Sequence, residues 1–407
     1  MSDRTFIPFH VPSIGEEEIA EVAATLRSGW LTSGERTARF ERDFRAYTGA
    51  RHALAVNSCT AGLHLALAAA GIGPGDEVIT TPLTFCATVN TILHVGATPV
   101  LADVLPDGNL DPASAAERIT PRTRAIIPVH LGGMPCRMDA IWDLARRHSL
   151  KVIEDAAHAV DALYRGMAPG APSTSGRASD AVAFSFYATK NITTGEGGMV
   201  TTNDAALADR MRVLCLHGIS KDAWNRYSEK GSWYYEVTEP GFKYNLSDVQ
   251  SAIGIHQLEK IERFHALRTA YAGIYTRRLA AIGEVETPPQ CSYGRHAWHL
   301  YQLRLNLDRL EIGRDRFIEE LRARGIGTSV HFIPIPLHPF FAPWARLEQN
   351  QCPRAIALYE RLISLPLYPS LTMEQIHYVT DSIAEIAARH ARRQTITAGM
   401  SLPGAEA

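Results

Sequence analysis

One lysine in this chain stands where it could do covalent chemistry. Lys190 lies in Ser185-Phe-Tyr-Ala-Thr-Lys190-Asn-Ile-Thr-Thr-Gly-Glu-Gly-Gly198, just after an apolar, strand-like run at 181–186. The turn that follows is too rich in glycine to continue a helix. An amine held at a strand end, away from bulk water, loses its proton at modest cost and can attack a carbonyl. Taken alone, the segment reads more plainly as an exposed lysine. Other segments change that balance.

Lys151-Val-Ile-Glu-Asp155-Ala-Ala-His158 is an apolar run ending in a carboxylate. Asp155 could simply cap the next helix, or it could pair with a protonated heteroaromatic nitrogen and keep it protonated. His158, close behind, could reach the same ring or be a satisfied core histidine. Asn57-Ser-Cys-Thr60-Ala-Gly-Leu-His-Leu-Ala-Leu67 is a strand end turning into an apolar helix. Its first-turn amides, with the Ser58 and Thr60 hydroxyls, form an anion site by geometry, or a plain N-cap. No Walker spacing and no GxGxxG accompanies it, which argues against a nucleotide triphosphate or dinucleotide site. Ser185 could add a hydroxyl from the neighbouring strand end. Phe85, in Pro82-Leu-Thr-Phe85, could lie flat on a ring or belong to the core. Asn245 could bond a phosphate, cap a helix or shape its turn. Lysine, carboxylate, phosphate-type helix start and aromatic are the parts that a pyridoxal phosphate site needs.

Composition sets the frame. The 407 residues are 21% charged with a formal net charge of −2, and no basic block stands out to bind nucleic acid. No run approaches the roughly 20 apolar residues of a membrane span, and the start lacks a signal-peptide core. The six cysteines (59, 86, 136, 215, 291 and 352) are scattered, without a CxxC pair, and suggest a reduced cytoplasmic protein with no disulfide frame and no metal site.

The elements that must hold these residues alternate. Strands are expected at 52–56, 77–80, 99–102, 125–129, 151–154 and 181–186, with helices at 61–70, 87–94 and 138–147 between them. An amphipathic helix at 16–28 precedes them, ended by Gly29-Trp30-Leu-Thr-Ser-Gly34. Such alternation predicts an α/β fold with a mainly parallel sheet between helices. Ligands of these sheets sit beyond the carboxyl ends of the strands, where Asp155 and Lys190 fall. Later come helices at 248–261 and 259–281, a strand at 299–305, a helix at 314–324, a Pro-rich strand-loop at 328–339, and helices at 352–362 and 373–392. This gives expected domains of 1–255 (large) and 256–392 (small, α+β), with a loose tail at 393–407.

Taken together, the segments NSCTAGLHLAL, PLTFCATVNTI, VIEDAAHA, SFYATKNITTGEGG, GFKYNLSDVQSAIG and GIGTSVHFIPIPLHP resemble the DegT/DnrJ/EryC1/StrS family of sugar aminotransferases. The resemblance runs from about residue 7 to 388 and implies fold type I, with a seven-stranded sheet and a smaller C-terminal domain. It implies that Lys190 is the covalent anchor of pyridoxal 5'-phosphate and the carrier of the migrating proton. Asp155 would hold the pyridine nitrogen and His158 would lie near the cofactor hydroxyl. Cys59 (through its backbone), Thr60 and Ser185 would hold the phosphate, and Phe85 would stack on the ring. Asn245 would reach the phosphate of the other subunit, making a homodimer with shared sites. Trp30, Tyr187 and His331 would line the substrate mouth. By the same resemblance, L-glutamate is the donor and a nucleotide-linked keto-sugar the acceptor, favoured as a 4-keto-6-deoxyhexose on dTDP or UDP aminated at C4. A 3-keto-sugar, a keto-inositol and a non-catalytic regulator are the alternatives. Family members often have glycine where this chain has Cys59; the contact there is through backbone. Family dehydratases carry histidine in place of the lysine, so Lys190 favours amino transfer.

Overall fold

The computed structural model describes residues 6–172, 177–219, 234–341 and 352–392. Seven strands form the main sheet: β1 (His52–Val56), β2 (Glu77–Thr80), β3 (Thr98–Leu101), β4 (Thr123–Ile127), β5 (Lys151–Asp155), β7 (Ala181–Ser185) and β8 (Gly198–Thr202). Their spatial order is β1-β8-β7-β5-β4-β2-β3, and every pairing is parallel except the two made by β8. The two-residue strands β6 (Leu163–Tyr164) and β10 (Gly294–Arg295) pair outside this sheet. Burial on both faces explains the near-continuous apolar strands; β7 and β8 are buried at every position.

The expected parallel sheet is present, with one strand the pattern did not reveal. β8 follows the glycine-rich turn, and with only Met199 and Val200 apolar it shows no continuous apolar run. Its antiparallel pairing with β7 brings Gly198 opposite Ser185, so the ends of the loop carrying Lys190 are tied together. Two helices were also unforeseen. α2 (Glu35–Thr48) is rich in charge, yet it buries Phe40 and Phe44 completely. No side chain of its own caps it. Instead Asp248 Oδ1, from the start of a later helix, accepts from the amides of Gly34 and Thr37 at 2.7 and 2.9 Å. α7 (Ala205–Cys215) starts at Asp204, whose carboxylate accepts from the Ala206 and Leu207 amides. The foreseen helices are α1 (Glu16–Ser28), α3 (Cys59–Ala69), α4 (Cys86–His94) and α6 (Met138–His148), with the short α5 (Pro112–Glu117) added. α3 is apolar all round and buried on nearly every residue, as a helix packed within a large core must be.

Beyond the main sheet, the continuous helical stretch expected at 248–281 breaks at Lys260. It divides into α8 (Asp248–Glu259) and α9 (Ile261–Leu279). A second, antiparallel sheet follows, built from β9 (Val285–Glu286), β11 (Tyr301–Leu305) and β12 (Leu362–Leu365) in the order β12-β11-β9. Helices α10 (Arg314–Ala323), α11 (Pro353–Tyr359) and α12 (Met373–Arg389) accompany it. Tyr301, Leu303 and Leu305 of β11 point into a core shared with α9, α10 and α12. Three expectations shift here. The strand expected from 299 starts at 301 and leaves His299 in the loop before it, and the helix expected to 362 stops at 359 because the apolar run Leu362–Leu365 pairs as β12. The strand-loop expected at 328–339 holds only a bridge, Ser329 to Ser364, and short 3-10 turns. The tail expected at 393–407 lies outside the described residues.

Candidate active site

A cavity of about 310 Å³ opens beyond the carboxyl ends of β5 and β7. It is lined by Lys190, Asp155, His158 and Ser185, by the start of α3 (Cys59, Thr60), and by Phe85, Tyr187 and His331. Residues from five separate stretches of chain thus meet in one place.

Asp155 ends β5 in the middle of the sheet, with its backbone fixed to the stretch that follows β4. Its N–H donates to the Pro128 carbonyl at 2.9 Å, and its own carbonyl accepts from the His130 amide at 3.1 Å. The carboxylate accepts from the Thr88 hydroxyl at 2.8 Å and the Ala157 amide at 3.1 Å, with the Cys59 thiol at 3.9 Å. Thr88 Oγ1 spends its hydrogen on Asp155, so the Thr84 hydroxyl, 2.8 Å away, donates to Thr88. No helix follows Asp155, so its bond to Ala157 closes a turn and caps nothing.

Lys190 sits in a tight turn, its amide donating to the Tyr187 carbonyl at 2.9 Å. Phe186 pins that loop by accepting from the Thr194 amide and the Thr193 hydroxyl. Burial pulls the ammonium down from its ordinary 10.5 to about 8, while Cys59 and Asp155 hold it up. Uncharged histidines surround it. Burial, helped by the Lys190 charge, lowers His331 to about 4 and His10 to about 3, and holds His158 and His299 well below the usual imidazole range. His158 Nδ1 accepts from the Gly132 amide at 3.2 Å, which leaves the hydrogen on Nε2. His331 keeps Nδ1 at 2.9 Å from the Ser364 hydroxyl.

At the start of α3, Ser58 is the N-cap and its hydroxyl accepts from Ala61 N–H at 3.1 Å. Cys59 and Thr60, whose amides have no acceptor among the described residues, line the cavity. Gly198 lets β8 come this close. A Cβ there would stand 2.6 Å from the Ser58 carbonyl carbon and 2.7 Å from the Cys59 nitrogen.

Comparison with known proteins agrees with this geometry. The model of the DegT/DnrJ/EryC1/StrS aminotransferase family matches residues 12–384. The chain is 50% identical over 383 residues to the spore coat polysaccharide biosynthesis protein SpsC of Bacillus subtilis (strain 168), covering 94% of this chain and 97% of that one. It superposes on Spr1654 of Streptococcus pneumoniae in its PLP form with a TM-score of 0.86 at 31% identity, covering 94% and 99% of the two chains. PseC of Helicobacter pylori, an aminotransferase involved in the biosynthesis of pseudoaminic acid, gives a TM-score of 0.85 at 30% identity over 95% and 100%. The chain belongs to the DegT/DnrJ/EryC1/StrS family. It is a PLP-dependent sugar aminotransferase.

The residues present fit that cofactor. Two open amides at a helix start suit a phosphate, and the Asp155 carboxylate ends in the cavity where a pyridine nitrogen could face it. Phe85, with 59% of its surface exposed, is a cavity wall and not a core residue, so a ring face is free for stacking. Two of the residues expected at a family site are not brought there within one chain. Asn245 lies in a separate pocket beside Ser33 and Gly34, and its amide donates to the Ser33 hydroxyl at 2.8 Å. Trp30 is exposed, its indole N–H donating to the Ser33 carbonyl at 3.1 Å. Thr88, His10 and His299 also surround Lys190 or Asp155, and local sequence does not mark them. Thr88 offers only its spacing, four residues after Thr84 at the start of an amphipathic helix. His299 and His10 reach Lys190 only through the tertiary fold and left no local signal.

Proposed function

We propose that this family member moves an amino group from L-glutamate to a keto-sugar carried on a nucleotide, favoured as a 4-keto-6-deoxyhexose on dTDP or UDP aminated at C4. The observation that carries the reading is the meeting of Lys190 and Asp155 in one buried cavity beside an open helix start. Bound pyridoxal phosphate would supply the aldehyde that takes the amino group and the electron-poor ring that stores negative charge. The chain does the rest. The Cys59 and Thr60 amides and Ser185 would hold the phosphate, Phe85 would cover one ring face, and Asp155 would face the ring nitrogen. Lys190, the covalent anchor in this reading, would hold and release the migrating proton at Nζ, a role that suits an amine lowered to about 8. His158 offers Nε2–H to an oxygen in the cavity.

Tyr187, half exposed at the cavity edge, and His331 are the sugar-side residues in this reading. PseC, whose described role is in pseudoaminic acid biosynthesis, supports an amino sugar as the product. The place of Asn245 and Trp30 outside their own chain's cavity supports a homodimer in which each serves the partner's site. The test is spectroscopic. L-glutamate added to the cofactor-loaded protein should replace the visible band with the aminated cofactor's near-ultraviolet band and release one 2-oxoglutarate per site. A nucleotide keto-sugar should then restore the first band. Release of ammonia or carbon dioxide in place of 2-oxoglutarate would contradict the reading.

A further inference from the structure

Three donors converge on the Asp155 carboxylate. Its Oδ1 takes the Ala157 amide at 3.1 Å and the Cys59 thiol at 3.9 Å, and its Oδ2 takes the Thr88 hydroxyl at 2.8 Å. Burial and the Asp155 charge hold the Cys59 thiol well above its ordinary range, so it keeps a hydrogen to give. A carboxylate offers two lone pairs on each oxygen. Among the described residues, the one left over lies on Oδ2, the oxygen that Thr88 holds.

Thr88 is itself aimed. A threonine inside a helix is free to bond the carbonyl one turn back. Here Thr88 is fully buried, and the hydroxyl of Thr84, also buried, lies 2.8 Å from its own. An ionised carboxylate can only accept, so the hydrogens run one way, from Thr84 to Thr88 to Asp155. Helix α4 starts at Phe85 without a side-chain cap, so neither hydroxyl is spent on the helix start. Thr84 lines the cavity together with Asp155.

We propose that the Thr84–Thr88 hydroxyl chain turns Asp155 Oδ2 toward the ring nitrogen of the cofactor and keeps the proton they share on that nitrogen, which makes Thr88 a positioning residue for the transfer. The proposal rests on the reading of Asp155 as the nitrogen's partner. Donors to a carboxylate stabilise its charged form, and a carboxylate stripped of one draws a shared proton toward itself. Without the Thr88 hydrogen, Oδ2 also loses the bond that fixes its direction, while Oδ1 stays committed to the Ala157 turn. A ring whose nitrogen gives up its proton is a poorer store of negative charge.

The experiment loads the apoprotein with pyridoxal phosphate carrying nitrogen-15 in the ring and reads that nitrogen by NMR, where protonated and unprotonated pyridine nitrogens are well separated. The unaltered protein should show a protonated nitrogen. Thr88→Val, close in size but without the hydrogen, should move the signal toward the unprotonated position and weaken cofactor binding about tenfold, the size of one hydrogen bond to a charged group. Thr88→Ser, which keeps the hydroxyl, should restore both. Thr84→Val leaves Thr88 in place and should move the signal the same way by less. Valine variants whose nitrogen signal coincides with that of the unaltered protein, whatever their melting temperature, would reduce Thr88 to packing and overturn the proposal. An Asp155→Asn signal that coincides with the unaltered protein's would instead overturn the reading of Asp155, a distinguishable result.

Discussion

Among single residues, Lys190 and Asp155 carry the proposed chemistry. Lys190→Ala should abolish repeated turnover and the visible band of the bound cofactor while leaving circular dichroism unchanged; sustained turnover would exclude Lys190 as anchor. Asp155→Asn removes the negative charge that, in the proposed reading, would face the ring nitrogen, but keeps its size and its bond to Thr88. Charge-assisted bonds of this kind contribute about 1.5–3 kcal/mol, so turnover should fall by about tenfold to a hundredfold, measured as kcat with glutamate. Of the residues singled out from sequence, Lys190, Asp155, His158, Ser185, Cys59, Thr60, Phe85, Tyr187 and His331 line one cavity. Most sit at or near a strand end or helix start, where local pattern and chemistry coincide; His331 lies in a loop, and only the family resemblance singled it out. His299 and Thr88 are brought to them by the fold, and only tertiary contact reveals them.

Among the elements, the close approach of β8 to the start of α3 shapes the end of the cavity where the phosphate is proposed to bind. Gly198→Ala would press a methyl group into the Ser58–Cys59 peptide. Overpacking of this sort costs about 1–3 kcal/mol, and the displaced amides should also weaken cofactor retention. Urea unfolding of the apoprotein and a dialysis measurement of cofactor loss would read the two effects; unchanged values in both would contradict this role for the glycine. The sequence pattern exposed the parallel strands because each is a short apolar run between helices. It concealed β8, which contributes just Gly-Met-Val-Thr-Thr after a turn. It concealed α2 as well, whose charged residues outnumber the buried Phe40 and Phe44, and whose cap comes from Asp248, more than two hundred residues away. Boundaries moved where tertiary pairing took over, as at Leu362–Leu365, claimed by the second sheet.

At the scale of the whole molecule, buried neutral histidines tie stability to pH. His296 is lowered to about 3, by burial first, and His331 to about 4, by burial and the Lys190 charge. His296 Nδ1 already accepts from the Trp298 amide at 2.8 Å, a bond that protonation would break. Below the unfolded value of 6.5 the unfolded chain takes up protons that the fold refuses. Stability present above pH 6.5 is therefore lost as pH falls, by up to about 1.4 kcal/mol per unit for each such histidine, until their folded values are passed. Urea midpoints of the apoprotein at pH 7.5, 6.5 and 5.5 should fall most over the last step, and a flat profile would contradict the burial of these rings as neutral groups. Among the described residues no helix is long and apolar enough to cross a membrane. In the proposed reading the main sheet, the cavity and a partner contact by Asn245 all serve one transfer. The most direct test of that claim incubates the cofactor-loaded protein with nitrogen-15-labelled L-glutamate and a panel of dTDP- and UDP-linked keto-sugars, with NMR of the products. The account predicts nitrogen-15 on C4 of a 6-deoxyhexose, with one 2-oxoglutarate formed for each amino sugar; label appearing as ammonia, or no labelled sugar from any 4-keto substrate, would contradict it.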